Sequence, residues 1–166
     1  MVDRGQAGDA GLDGTGLGEV LFGRATSSTL NGFEGADVLL GGAGNDTLDG
    51  GDGDDIVRGL GGNDIIDVGL GQDRIEWVNA TDGRDLVTRF DGDPTGGQDV
   101  VDLRRLFDAL GIPAGSRGAR VQLVDNGATV DVYLNLDPTN ANFEVHALRL
   151  ETTDLITLGA DLFVGD

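Results

Sequence analysis

The sequence predicts an all-β fold: stacked coils of two short strands and two tight turns, followed by a β-rich C-terminal region with one short helix. Residues 41–76 contain four consecutive nine-residue units in one register, and a fixed short period is the signature of a repeat architecture. Most of the first four positions in each unit are Gly, which favours turns. The C-terminal half contains runs of alternating apolar and polar residues separated by turn residues, which is typical of strands.

The four units read GGAGNDTLD, GGDGDDIVR, GLGGNDIID and VGLGQDRIE. The sixth position is always an acid, occupied by Asp46, Asp55, Asp64 and Asp73. The eighth position is always aliphatic, occupied by Leu48, Val57, Ile66 and Ile75. The first six residues of a unit therefore indicate a turn, and the last three a short strand with one inward apolar side chain. Two units complete one coil.

This arrangement places each turn on the turn eighteen residues further along the chain. We expect one side of the stack to carry Asp37, Asp55 and Asp73, and the other to carry Asp46 and Asp64. Carboxylates stacked at the strand spacing of about 4.8 Å repel one another unless a cation neutralises them. Ca²⁺ is a suitable cation because it accepts about six to eight carboxylate and carbonyl oxygens.

These units resemble the RTX nonapeptide repeat, G-G-x-G-x-D-x-U-x, where U is apolar. The resemblance implies a parallel β-roll that binds Ca²⁺ between two turns on the same side. It also implies the ligands of each ion. The first turn supplies its Asp and the carbonyls of its second and fourth residues, and the second turn supplies its Asp and the carbonyls of its first and third residues.

Transferred to this sequence, the resemblance implies three ligand sets in the repeats and one at their end. One set is Phe33, Gly35 and Asp37 with Gly50, Asp52 and Asp55. Another is Gly42, Gly44 and Asp46 with Gly59, Gly61 and Asp64. A third is Gly51, Gly53 and Asp55 with Val68, Leu70 and Asp73. Asp82 closes a last set with Leu60, Gly62 and Asp64. Asp55 belongs to two sets, so Asp55→Ala is expected to be the most damaging substitution.

The register also extends toward the N-terminus, through residues 14–22, 23–31 and 32–40. The aliphatic position persists there as Leu21, Leu30 and Leu39. The acidic position decays, because Glu19 and Ser28 stand where Asp belongs. Terminal repeats are expected to be atypical, so we predict absent or weak ion binding at these two turns. The predicted organisation is a flexible lead-in over 1–13, the roll over 14–82 and a C-terminal capping region over 83–166.

The capping region contains recognisable local signals. Residues 86–90 alternate like a strand, and residues 103–110 have helical apolar spacing that ends at Gly111 and Pro113. Two alternating runs around Asn126-Gly127 predict a hairpin, and residues 143–150 predict a further strand. We expect Trp77 and Phe90 to cover the apolar end of the roll, and His146 to face the sheet surface.

Residues 83–166 also resemble the C-terminal target domain of type I secretion substrates. The resemblance rests on DLVTRFD (85–91), DVVDLRRLF (99–107) and the closing acidic and apolar tail, although Arg104 stands where the family often has Ser. It implies an uncleaved export signal read by an ABC-type secretion machine, and hence a secreted chain that is the C-terminal part of a larger protein. Similar modules accompany serralysin-type proteases and alginate epimerases.

Composition narrows the range of functions. The chain of 166 residues has 30 acids against 11 bases, a net charge of −19, which argues against nucleic acid or an anionic membrane as a partner. The chain has no Cys, which excludes disulfides, and no apolar run long enough to span a bilayer. With 30 Gly, 6 Phe and one Trp, the expected core is thin, so the roll is predicted to need Ca²⁺ to fold.

No catalytic constellation is present in the sequence, so we expect no enzymatic activity. A zinc-protease helix needs two His residues at i and i+4, and this chain has one His. The Gly-rich turns lack the Lys-Ser/Thr pair of a phosphate-binding loop. Two alternatives to a calcium-responsive folding module stay open. One is an accessory module that holds an acidic polysaccharide such as alginate through Arg58, Arg74, Arg84 and Arg89. The other is a surface-adhesin tail.

Overall fold

The computed structural model of the chain describes residues 2–4, 11–92, 97–137, 145–152 and 162–163. Within these ranges the protein forms fifteen β-strands, one short α-helix and two 3₁₀ helices. The predicted all-β fold, a parallel β-roll with a β-rich capping region and a short helix, is confirmed. No helix in the described part of the chain is long and apolar enough to cross a membrane.

Most strands of the roll have three residues, although two of them have six. The first nine are β1 (Val2–Arg4), β2 (Gly11–Asp13), β3 (Val20–Phe22), β4 (Thr29–Asn31), β5 (Val38–Ala43), β6 (Thr47–Asp49), β7 (Ile56–Gly61), β8 (Ile65–Asp67) and β9 (Arg74–Glu76). The remaining elements are β10 (Asp85–Thr88), β11 (Val100–Asp102), α1 (Arg104–Ala109), the 3₁₀ helices Ala114–Ser116 and Gly118–Arg120, β12 (Val121–Asp125), β13 (Thr129–Leu134), β14 (Val145–Glu151) and β15 (Leu162–Phe163).

Successive strands of the roll enter two different sheets, as a coil of two units requires. Sheet A has the order β1-β3-β5-β7-β9-β11-β15, and sheet B has the order β12-β13-β14-β10-β8-β6-β4-β2. All pairs in sheet A are parallel. Val38 pairs with Ile56, and Ile56 with Arg74, so the register repeats every eighteen residues as predicted.

The interior between the two sheets is built from the eighth position of each unit. These side chains are at most 2% exposed: Leu21, Leu30, Leu39, Leu48, Val57, Ile66 and Ile75. Because successive Cβ atoms of a strand point to opposite faces, a three-residue strand can bury only its central side chain. Each coil therefore contributes two aliphatic side chains to a narrow core, and the turns lie outside it.

The stack extends beyond the predicted ends of the roll. At the N-terminal end, Gly11–Asp13 pairs with β4 and Val2–Arg4 pairs with β3, so strands lie before the expected start near Gly14. At the other end, β10 continues sheet B on β8 and β11 continues sheet A on β9. The nine-residue spacing of the acids stops after residue 76, but the strand pairing continues beyond it.

Most of the helix, hairpin and strand predictions for the C-terminal region are confirmed. Helix α1 ends before Gly111, whose φ of 65° is in the left-handed region. The predicted hairpin forms between β12 and β13, with Gly127 at φ 92° in its turn. The strand expected over 143–150 is β14, which pairs with both β13 and β10 and so attaches the region to the roll.

Trp77 and Phe90 are each 2% exposed and belong to the same hydrophobic core as the repeat side chains. Since β10 and β11 continue both sheets, these aromatic residues lie within the stack of strands. Phe143, the side chain of His146 and the tail over 154–166, apart from the backbone of β15, lie outside the described residues, so predictions about them remain predictions.

Candidate cation sites in the turns

The acids of the repeats form two rows that are linked by hydrogen bonds from turn to turn. We call the turns that precede strands of sheet A the A turns, and those that precede strands of sheet B the B turns. In the A turns, the backbone N–H of each residue in the row donates to Oδ1 of the acid in the next A turn. The bonds run from Glu19 to Asp37 at 2.6 Å, from Asp37 to Asp55 at 2.8 Å, from Asp55 to Asp73 at 2.9 Å and from Asp73 to Asp99 at 2.9 Å. The B turns are linked in the same way, from Ser28 to Asp46 at 2.6 Å, from Asp46 to Asp64 at 2.8 Å and from Asp64 to Asp85 at 3.0 Å.

The second oxygen of most of these carboxylates has no partner. Oδ2 is buried without a hydrogen bond in Asp37, Asp46, Asp55, Asp64 and Asp73. Each of these residues is 1% exposed, so bulk water does not reach these oxygens. A buried charged oxygen without a partner is strongly unfavourable, and native structures seldom keep one. Five such oxygens at equivalent positions therefore fit a cation that prefers oxygen ligands.

Burial sets the protonation of these acids in the absence of a metal. Removal from water raises the pKa of Asp55 and Asp64 to about 6. Hydrogen bonds from the preceding turn act in the opposite direction and lower the pKa, but their effect is smaller. The same cause raises the pKa of Asp73 to about 8, with Asp99 and Asp55 adding repulsion. The pKa values of Asp37 and Asp46 are also raised by burial. A bound divalent cation would reverse this, because it favours the charged form.

A glycine at the first position of the unit makes room for the carboxylate. A Cβ added to Gly50 would lie 2.4 Å from Oδ2 of Asp55 and 2.4 Å from the carbonyl oxygen of Val68. A Cβ added to Gly59 would lie 2.1 Å from Oδ2 of Asp64. No side chain fits at these distances, so these two turns need glycine at their first position to close around their own acids.

The structure brings together the turns that were predicted to share an ion. The N–H groups of Gly35, Gly44 and Gly53 donate to the carbonyl oxygens of Asp52, Gly61 and Leu70 at 2.8, 2.8 and 2.7 Å. Those three oxygens belong to the predicted ligand sets, and each carbonyl has a second lone pair for a metal. Coordination by the individual carbonyls stays a prediction.

In the units from residue 32 to residue 76, the second position has a left-handed backbone even where it is not glycine. Phe33 and Leu60 have φ values of 73° and 68°, and Gly42 and Gly51 at the same position have 119° and 101°. The turn geometry therefore overrides the local preference of Phe and Leu. Nowhere in the described ranges do three carboxylate or imidazole groups converge on one point, so a full coordination shell would need backbone carbonyls.

The two N-terminal turns satisfy their side chains internally. Oε2 of Glu19 accepts a 3.0 Å bond from the N–H of Thr15, and Oε1 of Glu19 accepts one from the Thr15 hydroxyl, which lowers the pKa of Glu19. Oγ of Ser28 accepts from the N–H of Arg24 at 3.0 Å and donates to the carbonyl of Thr26 at 3.1 Å. Neither turn leaves an unpaired buried oxygen on these side chains, and weak or absent ion binding there stays a prediction.

Sequence reasoning missed Asp85 and Asp99, which continue the two rows. Asp85 lies 21 residues after its partner Asp64, and Asp99 lies 26 after Asp73, against eighteen in the repeats. Short insertions before each turn hide the period. The detectable signal was the tripeptide Gly-x-Asp at 83–85 and 97–99, because the units at 62–64 and 71–73 carry the same tripeptide. Residues 80–88 and 94–102 are thus degenerate units, ATDGRDLVT and PTGGQDVVD.

Asp82 has a different environment from the one predicted. Its Oδ2 accepts hydrogen bonds from the N–H groups of Val78 and Asn79 at 3.2 and 2.9 Å. The hydrogen bond from Asp64 goes to Asp85 and not to Asp82. Asp99 is the last acid of the other row among the described residues; its Oδ1 accepts from Asp73 and its Oδ2 from Asp91 at 2.8 Å.

The arginines proposed for polysaccharide binding are not gathered on one face. Arg58 and Arg74 lie in sheet A and form ion pairs with Glu76 at 2.5 Å and Asp102 at 3.0 Å. Arg89 follows β10 of sheet B and forms ion pairs with Asp67 and Asp49. Arg84 lies in a B turn, where its backbone N–H donates to Oδ1 of Asn63 at 2.9 Å.

Comparison with known protein families finds one match. Residues 13–48 and 40–75 match the family described as RTX calcium-binding nonapeptide repeat (4 copies). No curated protein matches the chain. The matched ranges contain the four units recognised in the sequence except Glu76, the row acids from Glu19 to Asp73, and all five unpaired Oδ2 atoms.

Proposed function

Because residues 13–75 are RTX calcium-binding nonapeptide repeats, we propose that this chain is a module that orders itself on binding Ca²⁺ outside the cell. The observation that carries the proposal is the set of five buried Oδ2 atoms without partners. A cation within reach of these oxygens supplies the charge compensation that the described residues do not. The module acts by binding and folding, and we assign it no catalytic step.

The switch follows from the opposing contributions to folding. Ordering the backbone of each residue costs about 1–2 kcal/mol, and Gly loses the most freedom. In the roll, each short strand returns a single aliphatic side chain against that cost. Ca²⁺ supplies positive charge and several coordination positions for oxygen. The Asp rows and turn carbonyls predicted as ligands would hold it, so binding free energy becomes folding free energy.

The likeness of residues 83–166 to a type I secretion target domain supports an extracellular destination. Its two matching segments form β10 and the β11–α1 stretch, whose side chains Val87, Val101 and Phe107 are 0% exposed. A signal whose side chains are buried can be read only before folding. Extracellular modules bind Ca²⁺ at about 10⁻⁴–10⁻³ M, so a cytosolic chain would remain unfolded and readable by the secretion machinery. We propose that the chain is secreted as the C-terminal part of a larger protein.

Two related roles receive less support. An accessory module for an acidic polysaccharide needs a basic stripe, but three of its four candidate arginines are ion-paired and they are divided between the two sheets. A surface-adhesin tail would use the same folding switch to space or anchor other domains. Binding of alginate oligomers, followed by calorimetry in saturating Ca²⁺, separates the polysaccharide role from the others.

The test of the proposed function is the far-ultraviolet circular dichroism of the full chain. The protein is stripped with chelator and dialysed, and is then titrated with Ca²⁺, with Mg²⁺ as the control. We expect a largely disordered spectrum without metal, and a cooperative gain of β signal near millimolar Ca²⁺ that Mg²⁺ does not reproduce. A metal-free spectrum identical to the calcium spectrum would refute the proposal.

A further inference from the structure

We propose that the roll carries a second kind of binding site, a surface groove beside Phe33 that takes an organic ammonium ligand with an apolar skeleton. The groove lies where strands of sheet B run into the A turns, and its volume is about 750 Å³. Pockets of about 300–1,000 Å³ hold small-molecule ligands. This site goes beyond calcium binding, because it uses exposed side chains of the turns and none of their buried acids.

Phe33 stands at a position where the repeat pattern has glycine. At the same position of their units, Gly42, Gly51 and Gly69 have φ values of 119°, 101° and 102°, and Phe33 has 73°. A bulky residue seldom adopts a left-handed backbone, and such an outlier is a reason to look for a function. Leu60 shares the conformation at 68° but is only partly exposed, whereas Phe33 is 52% exposed. The ring of Phe33 therefore adds little to the buried core.

The turns on either side leave the ring of Phe33 uncovered. The equivalent residue is Thr15 in the A turn before it and Gly51 in the A turn after it. Both residues line the same groove. Because neither carries a large side chain, an aromatic surface remains available to a ligand. Aromatic faces attract cations, and organic ammonium ligands are bound in this way.

Two carboxylates without protein partners lie beside the ring. Glu34 follows Phe33, and an isolated parallel bridge pairs Glu34 with Asp52 in the next A turn. Both acids are exposed and line the groove. Across the residues that the structure describes, neither carboxylate accepts a hydrogen bond or forms an ion pair. Like charges on paired neighbours repel each other, so a cation bound between them relieves the repulsion.

The positive charge of the groove is already engaged. Among the described residues that line it, Arg89 is the only cation, and it forms ion pairs with Asp49, at 3.1 Å, and with Asp67. Asp49 lines the groove as well, so three carboxylates there accompany one guanidinium that is shared with a fourth. This charge distribution disfavours an anionic ligand such as alginate and favours a cationic one.

Aromatic surface and negative charge together specify an ammonium group on an apolar skeleton. A hydrated metal ion would interact with the carboxylates but would leave the apolar surface of Phe33 in water. A polyamine and an amino sugar both carry ammonium groups next to C–H groups, so each can cover the ring and reach Glu34 and Asp52. These two sources share the chemistry that the groove recognises, and the test separates them.

The test is isothermal titration calorimetry of the full chain, folded in millimolar Ca²⁺, with spermidine and with an oligomer of glucosamine. The N-acetylated oligomer, which lacks the ammonium groups, is the control and is expected to give no binding heat. Binding of both amines supports a site for the shared ammonium group, and binding of one alone identifies the source. If neither amine binds, or if the acetylated oligomer binds as tightly as the free amine, the assignment is wrong.

Phe33→Gly tests the ring while keeping the turn, because three other units carry Gly at this position. We expect the ammonium affinity to fall at least about fivefold, while Leu17→Ala, at a 71% exposed residue of an A turn outside the groove, leaves it unchanged. Glu34→Gln should weaken binding about two- to fivefold, and its control is Asp54→Asn, which removes an exposed charge that does not line the groove. Wild-type affinity in Phe33→Gly or Glu34→Gln would overturn the assignment.

Failure of the proposed function is read separately from failure of this site. A chain with the same circular dichroism with and without Ca²⁺ contradicts calcium-driven folding but keeps the groove. A chain that folds on Ca²⁺ and binds neither amine contradicts the groove alone.

Discussion

The backbone N–H of Asp55 donates a 2.9 Å hydrogen bond to Oδ1 of Asp73, eighteen residues further along the chain, while Oδ2 of Asp73 is buried without a partner. One oxygen of the carboxylate therefore fixes the distance between two turns, and the other needs a ligand. Repeated along both sides of the roll, this relationship couples the stacking of turns to the binding of cations. The predictions below test that coupling.

Asp55→Asn should weaken calcium-dependent folding. The amide keeps an acceptor for the N–H of Asp37 but removes a charge shared by two predicted ions. We expect the Ca²⁺ midpoint in circular dichroism to rise about tenfold or more, equivalent to about 1.4 kcal/mol. Asp54→Asn is the matched control, because Asp54 is the exposed neighbour whose Oδ1 accepts from the N–H of Gln72. Equal midpoints for the two variants would argue against the ligand role of Asp55.

Gly50→Ala should prevent closure of its turn. The new methyl would lie 2.4 Å from both Oδ2 of Asp55 and the carbonyl oxygen of Val68, and neither group can withdraw without losing its place in the stack. We expect a loss of about 3 kcal/mol or more in the free energy of unfolding, comparable to overpacking in a core. Gly115→Ala is the control, since nothing lies within 4 Å of its added Cβ, and it should shift thermal unfolding little.

The metal-free chain should become less stable as pH rises from about 4 to 8. Burial raises the folded pKa of Asp55 and Asp64 to about 6 and that of Asp73 and Asp85 to about 8, above the ordinary value of 3.8. The folded state therefore binds more protons, and the contribution of these groups is complete below the unfolded pKa and lost as pH passes the folded values.

Far-ultraviolet circular dichroism of dialysed protein at pH 5 and pH 8 measures this effect. We expect more residual β signal at pH 5 than at pH 8 without metal, and a lower Ca²⁺ midpoint for folding at pH 8 than at pH 5, since protons compete with the cation for the carboxylates. Asp102 works in the opposite direction, because its bonds to Arg104 lower its pKa despite its burial. A metal-free β signal that rises between pH 5 and pH 8 would contradict the burial of the Asp rows.

Leu148→Ala should destabilise the roll from the capping region. Leu148 is 0% exposed in β14 and pairs in register with Asp85 of β10. We expect a loss of about 2–5 kcal/mol, typical of a buried Leu→Ala change, and a higher Ca²⁺ requirement for folding. Leu110→Ala, at a residue 44% exposed, should change both by little. A roll that folds normally in Leu148→Ala would show that the two regions fold independently.

The four central units were predictable because their chemistry is local. Asp at the sixth position and an aliphatic residue at the eighth recur without interruption over residues 41–76. The same reasoning located α1 by its apolar spacing and the β12–β13 hairpin by Asn126-Gly127. Sequence reasoning stopped at Asp82 because it assumed that the period could not skip residues, whereas a turn outside the core can lengthen without disturbing the strands.

The repeat period was therefore sufficient to predict the architecture, the two rows of acids and the chemistry of their ligand, since each depends on the spacing between neighbouring residues in one segment of the chain. Folding in three dimensions decided which acids join the rows after residue 76. Asp85 and Asp99 reach the stack because strands β10 and β11 pair with β8 and β9 whatever the length of the connecting loop. Two strands pair when they lie side by side in the folded chain, and the number of residues between them does not reveal whether they do.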